Sequence, residues 1–254
     1  MNAKTHYGYP ISSIFFQVCG MILLSLLAIL TIVLSIFSVT LIIVAVAFLF
    51  WYFAIHTFKE RFSQLRRKIL CQMKDFARLN GHEHILDLGT GAGYMAINFS
   101  KSLQSGQVVG VDKYDQGTKI LGNNFFEELK INFFKNKLNQ AKWNAAIEGQ
   151  TDSILFIKSD LKKHFPFSNQ SFDLILSSQF LYCIPSKKLD KVLSEINRVL
   201  RPKGKLVFFE SEKFLNWNIS TVQVFFDSRH YKTRIHPLKN MPNKCILIAQ
   251  KSNE

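Results

Sequence analysis

The sequence predicts an α/β domain built on a mainly parallel, seven-stranded sheet, preceded by two long apolar helices. Three observations lead there. After residue 80, short runs of Val, Ile, Leu and Phe alternate with stretches of helical period, the pattern of a sheet layered between helices. The runs VVGV, ILFI, LILSS and KLVFF are nearly continuous in apolar residues, as strands covered on both faces must be. Before them, no Lys, Arg, Asp or Glu occurs from Thr5 to Phe58.

That N-terminal run comes first in the chain. One bilayer-spanning helix needs roughly 20 apolar residues, so residues 11–56 are too long for one pass and fit two. The expectation is a tail over 1–10 and a transmembrane hairpin over 11–56. The reversal falls near 34–40, where hydroxyl residues cluster, and a re-entrant hairpin is the alternative. A signal peptide would carry an apolar core of only about 7–15 residues behind a basic leader. A buried core helix would need polar positions that this run lacks. Trp51 and Tyr52 resemble an interfacial belt, and Lys59, Arg61, Arg66, Arg67 and Lys68 follow it, which assigns the remainder of the chain to the cytosolic side.

Residues 57–80 place Phe58, Phe62, Leu65, Ile69, Met73, Phe76 and Leu79 at spacings of three and four. This is an amphipathic linker helix, with Asn80-Gly81 as its stop. The domain proper is expected over 81–254. Its elements read in order as the strand HILDLG, a helix over 93–104, the strand QVVGVD, a helical region within 115–147, and the strands ILFIKSD and SFDLILSS. A helix over 187–200, the turn RPKG, the strand KLVFFE and a last strand pair at 231–238 and 244–250 complete it.

The formal net charge is +14, with 32 Lys and Arg against 18 Asp and Glu. Much of the excess lies in the segment after Phe58 and at Lys119, Lys130, Lys135, Lys137 and Lys142. Beside a membrane, such charge meets anionic headgroups, at about 1 kcal/mol per basic side chain near the surface. Nucleic acid is disfavoured, because no recognition motif is present and the lysines are not interleaved with aromatic residues. Cys19, Cys71, Cys183 and Cys245 are far apart and match no metal-binding spacing, so ordinary thiols in a reducing compartment and no metal site are expected.

The stretch ILDLGTGAGY, residues 85–94, sets three glycines at every second position behind one acid. Glycine there lets another group approach the backbone closely and permits positive φ. Dinucleotide sites use G-x-G-x-x-G, and here the third glycine comes one residue early.

The spacing D-x-G-x-G-x-G instead resembles motif I of the class I S-adenosylmethionine-dependent methyltransferases. PFSNQSFDLILSS and RVLRPKGKLVFFE resemble the blocks around that family's fourth and fifth strands, and the order holds across 82–250. The resemblance implies a Rossmann-like methyltransferase sandwich with S-adenosylmethionine as cofactor. It implies that Asp87 bears on the methionine end of the cofactor and that Gly89, Thr90, Gly91 and Gly93 form the loop beneath it. Asp112 would grip the ribose hydroxyls, with Lys113 next to it and Asp115 as the alternative acid; an ionised carboxylate suits two hydroxyl donors because it only accepts. Asp160, after Ser159, would take the adenine amino group, Leu161 would lie against the ring, and Ser177 would border the site at the end of the fourth strand. Gln179 and Tyr182 are the acceptor-side candidates, and no general base is named.

Ser177-Ser178-Gln179-Phe180 stands where N-P-P-Y would mark amino-methylating enzymes. The blocks resemble instead the ubiquinone- and menaquinone-biosynthesis type, which implies a small-molecule or lipid acceptor. Structural roles compete with these assignments: a mere tight turn for the glycines, a helix cap for Asp112, a surface turn for Asp160, and a structural role for Asp173. Two other functions compete, a non-catalytic cofactor-binding or scaffold membrane protein and a dinucleotide-dependent oxidoreductase.

Overall fold

A computed structural model describes residues 11–34, 37–114, 137–212, 218–238 and 241–253; within the helices, side chains are described for 16–29, 44–77 and from 138 onward. The expected tail 1–10, part of the reversal at 34–40, Asp115 and the lysines at 119, 130 and 135 lie outside these residues.

Two compact units divide the chain. The first covers Gly8–Ile69 and contains helix α1, Ile11–Leu34, and the larger part of helix α2, Phe37–Ala77. The linker helix expected over 57–80 is therefore the continuation of α2. Phe16, Leu23, Leu26, Phe48, Phe50 and Phe53 are all more than half exposed in this unit. Among the described residues, no helix is long and apolar enough to cross a membrane, so the expected pair of spans is not supported there.

The second unit begins at Leu70, where the last turns of α2 bury Leu70, Met73 and Ala77. Lys205 Nζ donates to the Ala77 carbonyl at 2.7 Å, a cation meeting the carbonyl end of a helix, where the macrodipole favours it. His236 stacks on Phe76 with ring centroids 4.6 Å apart.

Seven strands form one sheet: β1 His84–Leu88, β2 Gln107–Asp112, β3 Ile154–Lys158, β4 Phe172–Ser178, β5 Leu200–Ser211, β6 Tyr231–Pro237 and β7 Lys244–Lys251. Their order is β3-β2-β1-β4-β5-β7-β6. β1 to β5 are mutually parallel, and β7 runs antiparallel between β5 and β6. This is the expected mainly parallel sheet. Helices α3 (Tyr94–Ser100), α4 (Lys137–Ile147), α5 (Ser186–Val199) and α6 (Ile219–Asp227) accompany it.

Three details differ from the sequence reading. β5 starts at Leu200, so RPKG is not a separate turn but an irregular stretch inside the strand, where the pairing with β4 jumps from Leu200 to Lys205 and Lys203 takes φ 63. α6 was not expected at all; Asn218 caps it, accepting from the Thr221 amide. β3 is an edge strand, and Leu155 is 49% exposed although its run reads as fully buried.

Strand order reverses between β1 and β4. The crevice beyond the carboxyl ends of the strands at such a reversal is where open α/β sheets bind ligands, and the glycine loop leaves β1 there.

Candidate functional site

β1 ends in Asp87-Leu88, and the chain then turns through Gly89, Gly91 and Gly93, at φ 70, 54 and 86. All three conformations resist a Cβ, but the space around them is used differently. A Cβ on Gly89 would lie 2.7 Å from the Phe180 side chain, and one on Gly93 would lie 2.9 Å from the Phe156 ring. At Gly91, among the described residues and chain neighbours aside, the nearest atom is the Gly89 carbonyl oxygen at 4.0 Å. Among the described residues, the protein's own aromatic rings fill the space beside Gly89 and Gly93, while the space beside Gly91 is open.

Backbone bonds fix the loop to β2: the amides of Gly89 and Thr90 both donate to the Val111 carbonyl, at 2.8 and 3.1 Å, and Gly93 N–H donates to the Thr90 carbonyl at 2.9 Å. Gly110 in β2 gives Thr90 its room, since a Cβ there would meet Thr90 Oγ1 at 2.9 Å. From α4, the buried Asn144 donates to the Ala92 carbonyl at 2.9 Å and braces the loop from behind.

Asp87 is 1% exposed and accepts from the Ala96 amide at 3.1 Å. Burial pushes its carboxyl up to about 7, against the pull of the nearby Thr90 hydroxyl and the Ala96 amide, while Asp112 adds to the rise. Thr90 Oγ1 is close enough to act on that carboxyl, yet it closes no hydrogen bond of regular geometry. Asp112, at the end of β2, accepts from Gly91 N–H at 2.9 Å through Oδ2 and from Tyr114 N–H at 3.3 Å through Oδ1. Each oxygen keeps acceptor capacity. Lys113 beside it is exposed. Tyr114 is 6% exposed, and its buried hydroxyl has no hydrogen-bond partner among the described residues.

The remaining candidates divide. Asp160 follows β3, whose end is tied to β2 by Ser159 N–H donating to the Asp112 carbonyl at 2.9 Å. Its carboxylate accepts from the Lys162 amide at 3.0 Å, closing a turn. Leu161 is 3% exposed and packs in the core. Ser177 is fully buried, and its hydroxyl donates to Glu210 at 2.6 Å, so it serves the interior between β4 and β5. Gln179 holds φ 59 just past β4, and its amide donates to the Phe209 carbonyl at 2.8 Å. Tyr182 lies in the 3₁₀ turn Leu181–Cys183 and is 60% exposed. Its interaction with the Cys183 thiol, together with burial and the fields of Glu210 and Asp112, pushes its phenol up to about 12. At neutral pH it is a proton donor, not a base.

Asp173 is structural, accepting from Arg201 at 2.7 Å and from the His84 amide at 2.9 Å. Sequence reasoning did not single out Glu210, Asn144 or Tyr114. Glu210 had one visible signal, an acid closing the apolar run KLVFFE.

The glycine loop, Asp87 and Asp112 thus stand together at the strand reversal of an α/β domain. Residues 86–208 match the family described as a methyltransferase domain. A sterol 4-C-methyltransferase of Caenorhabditis elegans is 24% identical over 70% of this chain and 44% of its own length. A ubiquinone/menaquinone biosynthesis C-methyltransferase of Pseudoalteromonas translucida is 29% identical over 68% of this chain and 65% of its own. This chain thus spans less than half of the nematode relative and about two thirds of the bacterial one. A methyltransferase of Aquifex aeolicus described as dependent on S-adenosylmethionine superposes with a TM-score of 0.53 at 17% identity, over 72% of this chain and 88% of its own. The cyclase SpnF superposes at 0.56 and 15% identity, over 74% and 81%. The domain has the class I methyltransferase fold, and S-adenosylmethionine is the cofactor of that class.

The residues fit that cofactor. Gly91 offers a backbone with open space beside it among the described residues, Asp112 has acceptor capacity for a diol, and Asp87 is a buried acid suited to a cationic ligand end.

Proposed function

We propose that this protein is a membrane-anchored S-adenosylmethionine-dependent methyltransferase that acts on a small-molecule or lipid acceptor, with its catalytic domain on the cytosolic side. One observation carries the cofactor half of this reading. The Gly91 amide is held by Asp112 Oδ2 at 2.9 Å, and among the described residues, chain neighbours aside, no atom comes closer than 4.0 Å to the Cβ a Gly91 side chain would add.

When bound, the sulfonium supplies an already activated methyl group. Holding and aligning the partners and excluding water can then provide most of the catalysis. On this reading Asp112 and the Gly91 backbone hold the nucleoside end, Asp160 the base, and Asp87 the cationic end. Phe180 covers the loop at Gly89, and Tyr182 and Gln179 face the acceptor, with Tyr182 able to donate a hydrogen bond.

Two lines support the acceptor class and the anchor. The relatives named for sterols and quinones are enzymes of apolar acceptors. The charge-free run Thr5–Phe58, followed by Lys59, Arg61, Arg66, Arg67 and Lys68, has the length and flanks of a membrane hairpin with its charged side in the cytosol.

Titration calorimetry of the full-length chain in detergent micelles with S-adenosylmethionine, with NADH, and with the Asp112→Ala variant tests the cofactor. Saturable binding of the sulfonium, lost in the variant, is expected; binding of NADH instead would replace the reading with an oxidoreductase. Transfer of labelled methyl groups to a lipid extract tests the acceptor. Binding without any transfer would favour the scaffold alternative. Retention of the chain in membranes under alkaline carbonate tests the anchor, and its release would remove it.

A further inference from the structure

Glu210 is the penultimate residue of β5 and is fully buried. Its Oε1 accepts three hydrogen bonds, from Ser177 Oγ at 2.6 Å and from the amides of Phe180 and Leu181 at 2.9 Å each. Its Oε2 is buried with no hydrogen-bond partner among the described residues. A carboxyl in such surroundings costs free energy unless it satisfies something else, and the turn after β4 shows what that is. Gln179 takes φ 59 and reverses the chain, which aims two consecutive amides into the interior. Among the described residues neither meets a backbone carbonyl, and Glu210 Oε1, placed between them and Ser177, serves all three donors.

The same turn faces the glycine loop. Phe180, whose amide Glu210 holds, is the residue whose side chain fills the space above Gly89, 2.7 Å from where a Cβ would stand. Leu181, the second amide held, begins the 3₁₀ turn that carries Tyr182, and that turn is closed by Cys183 N–H to the Phe180 carbonyl and Ile184 N–H to the Leu181 carbonyl.

We propose that Glu210 is a positioning residue: by fixing the Phe180–Cys183 turn it holds Phe180 over Gly89, and so couples the acceptor side of the site to the cofactor loop. The coupling to ligand rests on the methyltransferase reading; the fixing of the turn does not. An apolar residue would fill the same volume but would strand three buried donors. Other titratable groups facing Glu210 are few among the described residues. Lys244 and Cys245 approach from β7, where Lys244 Nζ donates to Ser211 Oγ at 2.6 Å, and Tyr182 approaches from the turn.

The test uses the full-length chain in detergent micelles and the variants Glu210→Ala, Glu210→Gln and Phe180→Ala. Two quantities are measured, amide hydrogen exchange over residues 179–184 and the affinity for S-adenosylmethionine. In Glu210→Ala the Phe180 and Leu181 amides exchange about tenfold faster or more, and affinity falls by about tenfold, while amides of β1 and β4 keep their protection. Glu210→Gln keeps a carbonyl oxygen at the Oε1 position and restores both to within about threefold. Phe180→Ala leaves the turn protected yet weakens binding, because only the cover over Gly89 is gone.

Unchanged exchange in Glu210→Ala, equal loss in Glu210→Gln, or loss of protection throughout the sheet would each overturn the proposal. If Glu210→Ala does not fold, the other two variants decide. Wild-type affinity in Phe180→Ala would then refute the coupling, and an exposed turn in Glu210→Gln would refute the positioning. If the wild-type chain does not bind S-adenosylmethionine, the methyltransferase reading fails, and the exchange measurements alone still decide whether Glu210 fixes the turn.

Discussion

The Gly91 amide donates to Asp112 Oδ2 across 2.9 Å, so the middle of the glycine loop is held by the end of the neighbouring strand. Asp112 therefore shapes the loop as well as offering acceptors to a ligand. Asp112→Asn keeps an acceptor for the amide and loses the charge; Asp112→Ala loses both. Affinity for S-adenosylmethionine is expected to fall by about tenfold in the first and by about a hundredfold or more in the second. Calorimetry on the two proteins measures this, and equal losses would show that the charge alone matters.

The three glycines are expected to respond differently to alanine. Gly91→Ala strains a φ of 54 but meets open space. Its stability loss is confined to about 1–2 kcal/mol of backbone strain, while its ligand affinity collapses. Gly89→Ala and Gly93→Ala carry the same strain and in addition collide with Phe180 and Phe156. Overpacking adds about 1–3 kcal/mol. Urea unfolding of the three variants, beside calorimetry, would separate the two kinds of glycine.

Asp87 makes stability depend on pH in a defined sense. Burial lifts its carboxyl to about 7 from an ordinary 3.8. Between those values the folded chain keeps a proton that the unfolded chain has released, so its contribution is complete below the lower value and is lost as pH rises through about 7. Glu210, also lifted to about 7 by burial, contributes in the same sense. In the absence of ligand, urea midpoints should decline over this range, and Asp87→Asn should flatten the decline. Binding runs the opposite way: a cationic ligand end pairs with the ionised acid, so affinity should increase through neutrality in the wild type and stay flat in the variant.

Glu195 sets the acid limb. Hydrogen bonds from Arg198, with the Phe165 amide and His164, hold its carboxyl down at about 2 against an ordinary 4.5. Here the stabilisation is present above the higher value and is lost as pH falls toward the lower one. Glu195→Gln should make unfolding between pH 4.5 and 2 less steep, as followed by circular dichroism, and an unchanged slope would remove this pair from the account.

The strands were legible because a sheet covered on both faces leaves an apolar signature, and β1, β2 and β4 follow theirs closely. The edge strand β3 has the same signature without the burial, since hydrophobicity records what a strand tolerates, not what finally covers it. α6 was missed because ISTVQVFF is rich in β-branched and aromatic residues with strand preference; its packing and its Asn218 cap decide the outcome. At the site, spacing exposed the glycines and acids but not their partners. Nothing local ties Asp112 to Gly91, Asn144 to Ala92, or Glu210 to an amide some 30 residues earlier. Ser177 stands at a motif position, and the sequence does not show that its hydroxyl donates to Glu210 in the interior.

The buried end of α2 has a practical side. A fragment begun at residue 81, where the strand pattern starts, would lack Met73, which is wholly enclosed, and Ala77, whose carbonyl receives Lys205. It would leave Lys205 without its acceptor and remove the buried Leu70, Met73 and Ala77, and the expected product is insoluble. Starting upstream of Leu70 retains both, so the place to cut for crystallisation or spectroscopy lies inside the long helix and not after it.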